Sequence, residues 1–167
     1  MIEAFHTLAE ALDQTSIGQA IAGSRLAYPL LEGSHLIAIS LAFGLIFLTD
    51  LRMLGLFLPQ VPFESMHRQL RPYIGGGMIV VFITGMLLVF AESSVMFAPS
   101  FPVKMSLIVL GGINALYFEL VTDRRAGGRA VLPVSARAAA WISMVVWTLV
   151  IVAGRLIAYV PTWSSWA

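Results

Sequence analysis

Residues 73–91 read YIGGGMIVVFITGMLLVFA, nineteen positions without a charge or a proline. A hydrocarbon core of about 30 Å is crossed by roughly 20 apolar residues in helical conformation. The run is apolar on every face. That is the pattern of a helix surrounded by lipid and other helices, whereas a transmembrane β-strand alternates in polarity over about ten residues. Three further apolar runs, with ionisable groups only toward their ends, occur at 30–49, 103–121 and 138–160. Proline and polar clusters punctuate the connections, among them Pro59, Pro62, Pro99, Pro102, Pro133 and Pro161. The sequence therefore predicts an all-α integral membrane protein, an up-down four-helix bundle over 28–167.

Composition agrees with that reading. Of 167 residues, 59% are hydrophobic and 11% charged, with a mean hydropathy of +0.88. Soluble domains carry about 25% charged residues. With no cysteine, thiolate zinc sites, iron–sulfur clusters, disulfides and thiol nucleophiles are excluded. A net charge of +1 offers no basic field for nucleic acid. Residues 1–27 precede the spans and lack the basic start of a signal peptide. Ile2, Phe5, Leu8 and Leu12 recur at helical spacing, which predicts a short amphipathic helix on the outer surface. Ser16 is placed to cap a second short helix.

The loop cations set the expected orientation. Arg25, Lys104 and Arg155 fall on the side where the first span begins. Arg52, Arg68, Arg71, Arg124, Arg125, Arg129 and Arg137 fall on the other, seven against three. The cationic side normally stays in the cytoplasm. This predicts a bacterial cytoplasmic (inner) membrane protein with both termini periplasmic.

Ionisable groups inside a span are costly and become functional candidates. Counting depth from the span ends puts His35, Met86 and Arg155 in one layer, beneath a rim of Glu32, Glu92 and Lys104. A b-type haem needs an axial imidazole, a second ligand or an open position, and cations for its propionates. His35 fits as axial ligand, Met86 as second ligand, and Lys104 and Arg155 as propionate partners. His67 lies across the membrane from His35, and His6 reaches it only if the N-terminal helix folds over the bundle. A bland reading has His35 and Glu32 hydrogen-bonded near the interface. A third reading is transport of copper or a small solute, in which His35, Met96 and Met105 near this side would suit copper(I). On the opposite side Asp50 could pair with Arg52 or Arg71, and Glu119 with Arg71 or Arg124. The middle of the spans offers only Ser40, Thr84, Asn114 and Ser143, which argues against an ion-conducting route.

Small residues recur in the spans, including Ser40, Gly44, Gly75, Gly76, Gly77, Gly85, Gly111 and Gly112. Close packing at such residues holds membrane bundles together. A second functional reading follows from them and from the small size of the chain: a cofactor-free accessory subunit of a larger membrane complex, or a homo-oligomer.

The order Ser16-Ile17-Gly18, Tyr28-Pro29-Leu30-Leu31-Glu32 with His35, Asp50-Leu51-Arg52 with Leu54-Gly55-Leu56, Arg71-Pro72, Thr84-Gly85, Phe101 with Lys104, and Asn114-Ala115-Leu116 with Phe118 resembles an uncharacterised bacterial four-helix membrane family. More distantly, His35, Arg52, Thr84-Gly85 and Lys104 follow an order similar to CopD-like copper-resistance domains and HemJ-type protoporphyrinogen oxidases. The resemblance to the latter implies haem b on His35. Two departures stand out: Thr49-Asp50-Leu51-Arg52 replaces a Pro-Arg-Leu step, and Glu119 stands where relatives carry a histidine.

Overall fold

Peptide groups in hydrocarbon must satisfy their hydrogen bonds within the chain, and a helix does so segment by segment. The computed structural model describes residues 2–122 and 133–157, and every element in them is helical. Helices α1 (Ile2–Asp13) and α2 (Ser16–Ala22) precede four long ones: α3 (Ala27–Met53), α4 (Phe63–Ala91), α5 (Ser100–Tyr117) and α6 (Val134–Ile157). A 3-10 turn, Ser93–Phe97, joins α4 to α5, and a π-helical turn, Phe118–Thr122, follows α5. All four long helices are long and apolar enough to cross a membrane. The predicted all-helical four-span architecture is thus the observed one. Asp123, Arg124, Arg125, Arg129 and Pro161 lie outside the described residues, as do positions 158–160 of the last expected span and the side chains of Ile2, Phe5 and Leu8.

The helices overrun the apolar runs. Helix α4 starts at Phe63, ten positions before the expected 73, because its polar first turns carry Glu64, His67, Arg68 and Arg71 on a continuous helix. Hydropathy cannot mark such a start. The helix runs through Pro72, whose ring removes one ladder bond, to the Arg68 carbonyl. Helix α5 begins at Ser100, so Pro102 sits in its first turn, where no N–H is required. The cap of α2 is Thr15 rather than Ser16: Thr15 has extended backbone, and its hydroxyl accepts the Gly18 N–H at 3.2 Å.

The end of α3 is sharply defined. Gly55 takes φ +76°, a conformation that suits a residue without Cβ. The Leu56 N–H then donates to the Leu51 carbonyl at 2.9 Å, and the Gly55 N–H to the Arg52 carbonyl at 3.1 Å. This is a Schellman closure. Arg52 turns back over the following loop, donating from Nε to the Val61 carbonyl at 2.7 Å and from an Nη to that of Pro59 at 3.2 Å. It is therefore a loop staple and not the partner of Asp50.

Helix α3 packs along α4 and also against α6, while α5 packs along α6. No extensive contact joins α4 to α5, which leaves one seam of the ring unpacked. Small residues set the close approaches. A Cβ on Gly77 would lie 3.0 Å from Ala42 Cβ, and one on Gly111 would lie 2.9 Å from the Trp147 indole. Gly44, Gly75, Gly76 and Gly112 would meet nothing, so those small residues are not packing sites. Between the ends, Phe43 and Trp147 meet at a centroid distance of 4.8 Å, with Ala42 and Val150 around them. Helices α1 and α2 lie against α4 near the 3-10 turn, where His6 stacks on Phe97 at 4.5 Å.

Gly111→Leu should lower the thermal midpoint of the detergent-solubilised protein, at a cost of about 1–3 kcal/mol for the overpacked Trp147 contact. Gly44→Ala should leave the midpoint unchanged or raise it. Equal loss in both variants would remove the distinction between packed and open glycines.

Candidate functional site

Among the described residues two cavities open in the bundle, one toward each end. The larger, about 740 Å³, lies among α3, α4 and α6 at the end where α3 begins. Its wall is apolar over Leu36, Ile39, Phe43, Leu88 and Val150, and its polar groups are Tyr28, Glu32, His35, Glu92, Ser94, Lys104 and Arg155.

His35 is buried, and its ring is fixed by α4. The Thr84 hydroxyl donates back to the Val80 carbonyl at 2.7 Å. Its oxygen is thereby left to accept, and it lies 2.7 Å from His35 Nδ1. With the hydroxyl so engaged, the imidazole donates from Nδ1, which leaves the lone pair on Nε2. Gly85 makes room for the ring: a Cβ there would lie 3.1 Å from His35 Cε1. The Thr84-Gly85 step thus does two things at once, one residue accepting from the imidazole and the next yielding it space.

Lys104 is the cavity-lining residue that α5 contributes, reaching across to α6. Its ammonium lies where a Cβ on Gly154 would meet it at 3.4 Å. Arg155, the next residue on α6, lines the same cavity. At the mouth, the Tyr28 hydroxyl donates to Glu92 Oε2 at 3.0 Å, tying the start of α3 to the end of α4.

The structure brings His35, Lys104 and Arg155 to one cavity, together with Glu32 and Glu92. It does not bring Met86, which is 46% exposed and outside the lining. Thr84 faces His35, and two residues on a helix are about 200° apart, so Met86 points nearly the opposite way. Met96 and Met105 do not line the cavity, and His6 is engaged with Phe97 outside it. No group of three or more histidine, aspartate or glutamate side chains suited to a bare metal ion occurs among the described residues.

The second cavity, about 260 Å³, lies toward the other end and is lined by parts of all four long helices. Asp50 of α3 and Ser143 of α6 face each other across it. His67 sits between aromatic rings, stacked on Phe63 at 5.3 Å and edge-on to Phe118 at 5.5 Å. Glu119, placed by the π turn, receives Arg71 at 2.8 Å and lies 3.2 Å from His67 Nε2. Asn114 donates to the Ala139 carbonyl at 3.0 Å, locking α5 to α6. The sequence reading expected the Glu119–Arg71 pair, which is present, but not the convergence of these side chains on one cavity. The signal available was the level of Ser143 on α6 against Asp50 on α3.

A model of a family of unknown function, DUF6644, matches residues 5–160. The chain belongs to that family. No curated protein and no solved structure matches it. The matched residues span both cavities and all four long helices.

Thr84→Val keeps the shape of the side chain and removes the acceptor, so the His35 tautomer should become mixed. Ring ¹⁵N shifts of selectively labelled protein read this directly. The native protein should show one protonated Nδ1, and a single Nε2–H tautomer instead would refute the assignment.

Proposed function

We propose that the larger cavity binds haem b through His35 and that the protein serves electron transfer or haem metabolism. The observation that carries this reading is the Thr84 contact, which fixes Nδ1–H and leaves Nε2 as a ligand beside a cavity of about 740 Å³. Metal-binding histidines almost always donate their other ring N–H to an acceptor in the protein, and here that acceptor is built in. The cavity is within the range of about 300–1,000 Å³ typical of small-molecule and cofactor sites. Lys104 and Arg155 line it as two cations for two propionates. The similarity of His35, Thr84-Gly85 and Lys104 to the HemJ-type order supports the same assignment.

In this reading His35 binds the iron and Thr84 orients the imidazole. Lys104 and Arg155 hold the carboxylates, and Phe43 with Val150 excludes water from the far side. Met86 has no part in it. Bound haem would supply one-electron exchange, with a potential set by the axial ligand and by burial. The chain expressed with haem supply should show a Soret band that His35→Ala abolishes and Met86→Ala leaves intact. Lys104→Ala should weaken retention about tenfold, the scale of one charge-assisted hydrogen bond. Purified wild-type protein without Soret absorbance would sink the proposal.

We place the protein in a bacterial cytoplasmic membrane with the His35 end outside. Arg52, Arg68, Arg71 and Arg137 at the Asp50 end support this orientation, because clustered arginine is retained in the cytoplasm. A periplasm-active reporter fused after the last residue should be active, and a cytoplasm-active one silent. The reverse result inverts the topology.

A further inference from the structure

The smaller cavity holds two buried polar side chains whose hydrogen bonding is incomplete. Asp50 is 3% exposed, and its Oδ2 has no partner. His67 is 9% exposed; its Nδ1 has no partner, and its Nε2, though close to Glu119, is not aligned for a hydrogen bond. Leaving such groups unmet costs about 1–3 kcal/mol each. Both line the same cavity, Asp50 from α3 and His67 from α4. The cavity therefore wants an occupant that accepts from an imidazole N–H on one side and meets a carboxylate on the other.

Its walls narrow the choice. Phe118 and Trp147 offer flat aromatic surface, and Ile74, Met78 and Ile108 are aliphatic. A fatty acid or a phosphate head would bring negative charge toward Asp50 and Glu119, and among the described residues no lysine or arginine lines the cavity, so an anionic head is disfavoured. At about 260 Å³ the space is too small for a macrocycle and suits one substituted ring. Access is set by the unpacked seam. Ile74 and Met78 belong to α4, and Ile108 and Ala115 to α5, the two helices that lack extensive contact, so the cavity meets the bilayer interior between them.

We propose that this cavity binds the head group of an isoprenoid quinol or quinone, entering from the lipid between α4 and α5. A quinol hydroxyl donates to Asp50 Oδ2, and the oxygen at the opposite ring edge accepts from His67. The ring lies against Trp147 and Phe118, and the tail leaves through the seam. The site stands independently of haem at His35, because different residues build it and its test reads binding alone.

Trp147 lines the cavity and serves as the probe. In a variant with Trp141, Trp163 and Trp166 changed to Phe, decylubiquinone should quench the remaining fluorescence saturably. His67→Phe should weaken that binding about tenfold, the scale of one buried hydrogen bond. Asp50→Asn should weaken decylubiquinol more than decylubiquinone, since only the quinol donates. Ala115→Phe, which narrows the mouth from an exposed position and leaves the polar groups untouched, should also weaken binding. Quenching that rises linearly without saturation, or saturable quenching unchanged in both His67→Phe and Ala115→Phe, would overturn the proposal and leave ordered water as the occupant.

Discussion

Helices in lipid gain little by hiding apolar surface from an apolar solvent, so the bundle depends on how closely its backbones can approach. Two contacts set that approach. Gly77 lets α4 come against Ala42 of α3, and Gly111 lets α5 come against Trp147 of α6. Everything polar in the membrane hangs on the spacing that these contacts fix. With α3 and α4 held together at Gly77, Thr84 and Gly85 arrive two turns later opposite His35. With α5 and α6 held together at Gly111, Asn114 reaches the Ala139 carbonyl one turn on.

The same spacing divides the interior. Phe43 lines the larger cavity, Trp147 lines the smaller, and the two rings touch between them. Polar chemistry is therefore gathered at two levels with an aromatic layer in between. No carboxylate or cation from the described residues enters that layer, which consists of Ala42, Phe43, Trp147 and Val150. A bundle built this way can hold different ligands at its two ends without an aqueous path joining them.

Depth was legible in the sequence, and rotation was not. Long apolar runs placed the four spans, and antiparallel counting put His35 and Arg155 in one layer beneath a rim that includes Lys104, at the end where the larger cavity lies. The same counting chose Met86 for the His35 level, although Thr84 is the residue that turns inward. Hydropathy records how apolar a segment is, and a helix apolar on every face gives no sign of which face is inside. Helix ends were hidden for a related reason. The first turns of α4 are polar, so a composition window ends where the helix does not. The Asp50–Ser143 contact was missed because α6 begins at Val134, before its apolar run, and carries Ser143 to the level of Asp50.

The open seam also bears on how the chain assembles. Helices α3 and α4 are joined by a short loop and pack along their length, as do α5 and α6. Each pair is a hairpin made of local contacts, the kind that forms fast. Yet α4 and α5, neighbours along the chain, do not clasp each other beyond the contacts of His67 and Arg71 with the π turn, and the two hairpins meet mainly through α3 and α6, which are far apart in sequence. Closing that contact carries the largest loop entropy in the bundle. Assembly should therefore proceed as two early hairpins and one late junction. That junction is also what completes both cavities, since each takes side chains from α3 and α6. Ligand binding at either end would then favour the last step of folding over the first.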